Sequence, residues 1–306
     1  MSTIFADEHD PVDDELAMYR AAAEAGDIKA MVRLAEHLDN IAGTIDYAEE
    51  IERWFRCAAE AGDAVAMVRL AEHLENGPEE EEYQEEIESW YRRAAAAGNA
   101  EAMFFLGYLC RRQQDFDGAE RWWSRGAEGA DTDCMIELGS LRYRAGELAE
   151  CESWYRRAAE AGSASAMSLL GRLLAGRGDV EEAEIWLLRA VDAGHYHYAA
   201  EKLGRLHYDR ADLTGAEIWW RRAANRASAQ HYPGDHTAMY RLGMLLADRG
   251  DLDEAETWLE KAGGNNNKPA MVRLAELLRE RGDLEGADTW SARASSESSY
   301  WHWERH

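Results

Sequence analysis

The sequence predicts an all-α solenoid (superhelix) of about eight stacked helix–turn–helix repeats, on three observations. A tryptophan-centred element recurs, a leucine-centred element recurs in step with it, and turn-forming residues separate the two. The tryptophan anchors are Trp54, Trp90, Trp122, Trp154, Trp186, Trp219, Trp258 and Trp290, with Met18 opening an earlier copy, at intervals of 36, 36, 32, 32, 32, 33, 39 and 32 residues. The leucines are Leu34, Leu70, Leu106, Leu138, Leu170, Leu203, Leu242 and Leu274, at intervals of 36, 36, 32, 32, 33, 39 and 32. Two markers that drift together through the same length changes define a repeat. A chain of 306 residues is also longer than a single compact core usually becomes, which suits an array.

Each element has the period of a helix. In the leucine-centred type, Met31, Leu34, Ala35 and Leu38 fall at i, i+3, i+4 and i+7 and form one apolar stripe. Met31, Met67, Met103, Met135, Met167, Met239 and Met271 occupy one repeat position and read as core residues, not as a cofactor stripe. In the tryptophan-centred type, Ala183, Trp186 and Ala190 share a face. Between the two, Arg177-Gly178-Asp179, Arg249-Gly250-Asp251 and Arg281-Gly282-Asp283 offer a glycine to end one helix and an aspartate to cap the next. Gly26, Gly62, Gly98, Gly162 and Gly194 end the second helix of each pair. Columns of Ala and Gly let helices approach closely, and the tryptophan anchors are expected to fill the space between neighbouring hairpins.

The motif Trp154-Tyr155-Arg156-Arg157-Ala158-Ala159, with close copies at Trp54 and Trp90, resembles the Sel1-like branch of the tetratricopeptide repeat family. The 12-residue span from Ala158 to Leu170 matches Sel1-like repeats and is shorter than in ordinary tetratricopeptide repeats, while the later 32-residue units shorten the loop inside each hairpin toward the ordinary style. The resemblance covers residues 15–306, read as a single solenoid domain. It follows a flexible acidic N-terminus over 1–14 and closes with an aromatic cap near 300–306, where Trp301 and Trp303 stand.

Charge narrows the function. The net charge is −26, and residues 1–100 alone carry 25 acids against 8 bases. Direct nucleic-acid binding requires the opposite sign, as does docking on anionic membranes. No apolar run approaches a membrane-spanning length and no leader pattern precedes the first repeat, so a cytoplasmic location without membrane insertion is expected. Cys57, Cys110, Cys134 and Cys151 lack paired zinc or redox spacing. There is no phosphate loop, nucleophile elbow or metalloprotease helix; no enzyme activity, cofactor or metal is expected. His231, Asp235 and His236, in the residues added by the 39-residue interval, read as a surface loop rather than a metal site.

The resemblance implies another protein or peptide as partner, bound by an adaptor or scaffold in the concave groove that the first helices line. The groove columns then supply Phe104, Tyr108, Arg111, Arg112, Tyr143, Arg144, Arg172, Arg205 and Tyr208, residue types enriched at interface hot spots. Glu36, Asp39, Glu72, Glu75, Glu79, Glu80, Glu81 and Glu82 supply an acidic surface. That surface supports an alternative, an inhibitor or chaperone covering a basic (for instance nucleic-acid-binding) protein. A homodimer joined through the terminal tryptophans is a further expectation.

Overall fold

A computed structural model describes residues 11–41, 47–77, 80–230 and 236–296, all of whose regular elements are α-helices. The fold is an all-α repeat solenoid, in two compact units, residues 1–147 and 148–306. The first holds α1 (Pro11–Glu24), α2 (Ile28–Ile41), α3 (Ala48–Glu60), α4 (Ala64–Glu75), α5 (Glu80–Ala96), α6 (Ala100–Arg112), α7 (Phe116–Glu128) and α8 (Thr132–Arg144). The second holds α9 (Leu148–Glu160), α10 (Ala164–Arg177), α11 (Val180–Asp192), α12 (Tyr196–Asp209), α13 (Leu213–Gln230), α14 (His236–Arg249), α15 (Leu252–Gly264), α16 (Lys268–Glu280) and α17 (Leu284–Ser296). Even-numbered helices are the leucine-centred first helices of each hairpin; odd-numbered ones carry the tryptophan anchors, with Met18 in that place in α1. The terminal tryptophans and the first ten residues lie outside the described residues.

Local chemistry explains the helix ends. Gly62 takes φ 98°, and the N–H groups of Gly62 and Asp63 donate back to the carbonyls of Ala59 and Ala58 (3.0 and 3.1 Å), closing α3 in the left-handed manner. Asp63 then caps α4, its carboxylate accepting from the Ala66 N–H at 2.9 Å; Asn99, Asp131, Ser163 and Asn267 do the same for later first helices. The Arg-Gly-Asp turns follow expectation only in part. Asp283 caps α17 through the Gly286 N–H, but the side chains of Asp179 and Asp251 make no capping bond. Asp179 is drawn instead to the Arg177 guanidinium at 2.8 Å.

The core corrects the tryptophan expectation. Only four anchors (Trp54, Trp90, Trp186 and Trp258) are buried, and Trp122, Trp154, Trp219 and Trp290 are half-buried. The residue after the anchor is the deeper one: Phe55, Tyr91, Trp123, Tyr155, Leu187, Trp220 and Leu259 are all buried. These side chains press on the small residue that follows each repeat leucine. Gly107 lies under the Trp123 indole, Gly204 under Trp220, Gly171 under Leu187 and Gly243 under Leu259, each with no room for a Cβ. The two deepest indoles also donate to first-helix carbonyls, Trp123 to Phe104 at 3.1 Å and Trp220 to Glu201 at 3.2 Å. Anchor tryptophans sit further out, each beneath a cation of its own helix; Arg93 lies 4.1 Å from the Trp90 ring centre and Arg157 4.4 Å from Trp154.

A polar interlock joins successive second helices. The arginine two residues after one anchor reaches the glutamate four residues before the next, and that glutamate also accepts the next indole N–H. Glu50 takes Arg20 (3.0 Å) and Trp54 (3.3 Å); Glu86 takes Arg56 and Trp90; Glu182 takes Arg156 and Trp186; Glu254 takes Arg221 and Trp258. In α7, α13 and α17 the glutamate is replaced by Gly118, Gly215 or Gly286, whose N–H is instead capped by Asp115, Asp212 or Asp283.

Three stability predictions follow from this packing. Burial alone would push the Glu86 carboxyl up, yet hydrogen bonds from Arg56 and Trp90 outweigh it and hold the group below the usual carboxylate range. Its stabilisation is therefore full above an unfolded value of about 4.3 and is lost as pH falls through the folded value. Glu86→Gln should cost about 1 kcal/mol in neutral urea unfolding, and the difference should vanish in acid. Gly204→Ala, driven against Trp220, should destabilise by about 1–3 kcal/mol. Gly176→Ala, in α10 with open space around it, should stabilise by about 0.5–1 kcal/mol.

Candidate functional site

The residues that face outward on the first helices form the candidate site, and the two units present different chemistry there. In the first unit, α2 and α4 frame a hollow lined by Glu36, Asp39, Asn40, Glu72, His73 and Asn76, floored by Phe55 and bordered by Arg69. Arg69 is committed to Glu72 and, at 3.0 Å, to Glu101, so it neutralises little of Glu36 and Asp39. A neighbouring hollow includes Glu75, Glu85, Glu88 and Arg112. There Glu75 accepts from the Tyr91 hydroxyl and from Arg112, both at 3.2 Å. Burial first, and then the Glu75 charge, push the Tyr91 phenol far up, so it stays protonated as a donor. Of the remaining acidic candidates, Glu82 is exposed on α5. Glu80 and Glu81 lie in that helix with side chains outside the described residues, as is Glu79 altogether.

The aromatic and arginine candidates divide between the units. In the first, Phe104 meets Phe105 edge-on at 5.5 Å, and Tyr108 is exposed with the Arg111 guanidinium 4.8 Å from its ring. Arg111 also pairs with Glu137 across to α8 at 2.7 Å. Burial nonetheless raises the Glu137 carboxyl, against the pull of Arg111 and Arg144. Tyr143 and Arg144 are exposed at the end of α8. In the second unit, Arg172 is half-buried on α10, Arg205 pairs with Asp209 of its own helix at 3.1 Å, and Tyr208 leans over Trp220 with ring centres 5.6 Å apart. Several predicted arginines are thus already engaged within the fold, which spacing alone does not reveal.

The structure adds residues that the sequence reading left unnamed. Tyr208, Trp220, Tyr240, Met244 and Leu245 enclose a pocket of about 170 Å³ between α12 and α14, with Arg241 and Asp248 at its rim. Tyr240 and Met244 continue into an open hollow with Lys268, Val272 and Arg273 of α16. The signal was present: Tyr240, Met244 and Val272 occupy in repeats seven and eight the same columns that nominated Phe104 and Tyr108. Behind the pocket, Glu201 is buried and held by Lys202 at 2.8 Å and Arg241 at 2.7 Å.

One pair has the look of catalytic chemistry. Ser168 Oγ and His195 Nδ1 are 2.7 Å apart, and burial, followed by the His197 charge, lowers the His195 pKa. Ser168 is fully buried, however, so its hydroxyl is closed to a substrate, and the bond ties α10 to the turn before α12. Among the described residues no group of three or more His, Cys, Asp or Glu is placed to hold a metal ion, and no helix is long and apolar enough to cross a membrane. His231 and Asp235 lie outside the described residues; His236 opens α14.

This architecture defines a helical repeat protein with a polar first face and a partly aromatic second one. Sequence models described as tetratricopeptide repeat match residues 136–198 and 202–269, and a second such model matches 100–125 and 269–293. The chain belongs to the tetratricopeptide repeat family, whose members generally serve as protein–protein interaction scaffolds and are typically not enzymes. It is similar in structure to c5321, a protective antigen of uropathogenic Escherichia coli with an SLR fold. That likeness has a TM-score of 0.66 at 22% identity and covers 92% of this chain and 64% of that one, so the chain spans just under two thirds of its length. A Sel1 repeat protein from Oxalobacter formigenes is similar over 70% of this chain and 99% of its own, with TM-score 0.58 and 24% identity. The Cut9–Hcn1 hetero-tetramer of the APC/C contains a chain similar over 89% of this one and 50% of its own, with TM-score 0.54 and 14% identity. No curated protein sequence matches the chain.

Glu201→Ala would leave Lys202 and Arg241 side by side without their shared carboxylate. It should lower unfolding stability by about 2–3 kcal/mol, and Glu201→Gln, which still accepts from Arg241, should recover part of that loss.

Proposed function

We propose that this protein is a non-enzymatic scaffold or adaptor that holds a protein partner, through an extended or helical segment, against the outward faces of its first helices. The observation that carries the reading is a row of exposed or half-exposed aromatic and apolar side chains on those helices: Phe104, Tyr108 and Tyr143 in the first unit, and Tyr208, Tyr240 and Val272 in the second. Second helices expose apolar residues as well, among them Phe116, Leu148, Ile185, Leu188, Ile218 and Leu284, but of the exposed ones only Phe116 is aromatic. Scattered apolar residues are ordinary on a surface, whereas aromatic rings repeated in the outward columns beside arginines have the composition of an interface core.

The test begins with affinity capture on the full chain at low and high salt. The captured protein is then titrated against Tyr108→Ala/Tyr143→Ala and Tyr208→Ala/Tyr240→Ala chains. A loss of about tenfold or more in at least one pair is expected, with no change for Glu160→Ala, an exposed control on the second helix α9. Equal affinity for all of them would reject the first-helix placement.

A second reading, a cover for a basic protein, draws on the hollow around Glu36, Asp39 and Glu72. Binding of a polylysine probe should then fall steeply with salt and collapse when the three are changed to Gln and Asn. Retention at high salt would remove this reading.

A further inference from the structure

The charge near the ends of the second helices changes sign along the sequence. In five of the six earlier copies the sixth residue after the anchor is an acid: Glu24, Glu60, Glu128, Glu160 and Asp192. In the last three it is Asn225, Gly264 and Ser296. The first turns of α12, α14 and α16, which begin on the same edge, hold no acid either. What stands there is Arg222, Arg226, Lys261, Lys268 and Arg293, with Glu260 the one acid among the described residues of these stretches. Asp235 and Glu297 adjoin them outside the described residues, which still leaves five cations against three acids in a chain of net charge −26. At the end of α11, Asp192 is offset in number by Arg189 of the same helix.

These ends meet on one edge of the second unit. Arg293 donates to the Gly264 carbonyl at 3.5 Å and to the Asn266 side chain at 3.4 Å, which sets the end of α17 beside the turn between α15 and α16. Asn267, the N-cap of α16, donates to the His236 carbonyl at 3.3 Å and ties that turn to the start of α14. Arg226 of α13 lies over the Tyr196 ring at the start of α12, 4.5 Å from its centre. Lys268 borders the hollow that holds Tyr240 and Val272, so the edge continues the first-helix surface.

The cations of this edge are ordered without being neutralised. Arg222 lies 5.3 Å from the Trp219 ring centre and Lys261 4.4 Å from that of Trp258. Neighbouring Arg221 has two carboxylates, Glu217 and Glu254, whereas Arg222, Arg226, Lys261 and Lys268 have none within ion-pair distance. A ring beneath a guanidinium holds it in place and leaves its in-plane N–H groups open to a carboxylate. Arg222 and Arg226 also stand four residues apart on α13, a like-charge spacing that is unfavourable until an anion lies between them. Acids elsewhere in the chain are screened beyond a Debye length of about 8 Å at physiological ionic strength, so the edge acts through its own charge.

We infer that this edge docks a run of Asp and Glu in the partner, adjoining the part held against the first helices, with carboxylates at Arg222 and Arg226 and at Lys261 and Lys268. The inference rests on the scaffold reading and adds to it the charge of the bound segment and the place where that charge lies. Nucleic acid, whose charge would run on past the edge over a net-acidic molecule, fits it less well.

Anisotropy titration of the full chain with a labelled oligoglutamate peptide tests it, beside a single-stranded oligonucleotide of matched charge. The peptide should bind, more weakly as salt rises, and Arg222→Glu/Arg226→Glu and Lys261→Glu/Lys268→Glu should each weaken it about tenfold. Arg125→Glu/Arg157→Glu makes the same change of net charge at the equivalent tryptophan-stacked position of two earlier repeats and should leave binding near the parent value. Unfolding curves of the variants keep a loss of binding distinct from a loss of fold. No binding of the peptide, an equal loss in the Arg125/Arg157 control, or tighter binding of the oligonucleotide would each overturn the proposal. A captured partner that responds to Tyr208→Ala/Tyr240→Ala and to neither edge variant would overturn it and leave the scaffold reading standing. One that responds to no first-helix and no edge variant would overturn both.

Discussion

The structure depends on one steric constraint: the residue after each repeat leucine must be small enough for a large side chain of the following helix to lie directly on the backbone. Gly107 under Trp123 and Gly204 under Trp220 are the tightest cases, and Leu187 and Leu259 use Gly171 and Gly243 in the same way. Close approach lets the indole N–H groups of Trp123 and Trp220 reach carbonyls of the preceding helix, so a buried donor is satisfied without any polar side chain. Helix spacing, the depth of the ring and the hydrogen bond are a single solution. Changing the small residue disturbs all three.

A second layer of order is electrostatic and lies outside this core. The anchor tryptophans, one position earlier, are not the plugs. They form the outer rim, covered by a cation from their own helix and tied to a glutamate that also receives an arginine from the preceding second helix. Such pairs are partly exposed and individually modest. They occupy many of the charges of the second helices.

The first-helix surface differs between the units. Glu36, Asp39 and Glu72 make the first unit acidic where α2 and α4 meet, whereas Tyr208, Tyr240 and Met244 give the second an apolar pocket with Arg241 and Asp248 at its rim. The Ser168–His195 pair shows the opposite use of polar groups: a buried hydroxyl and a half-buried imidazole at hydrogen-bonding distance stabilise a turn and offer no nucleophile.

The sequence by itself determined the repeat, the helix types and their ends, because these follow from short-range chemistry: a period near 3.6, glycines at positive φ and side chains that cap the next turn. It also determined which columns face outward, and the Tyr240 and Met244 positions were legible there once the columns were carried through every repeat. Only the tertiary structure decided which of two adjacent large residues goes inside, since Trp154 and Tyr155 look equally apolar until the neighbouring glycine column is in place. It alone decided that Arg111 is spent on Glu137 and Arg205 on Asp209, and that Lys202 and Arg241 share one buried carboxylate. Pairings of that kind depend on distances between helices, and a linear spacing rule does not contain those distances.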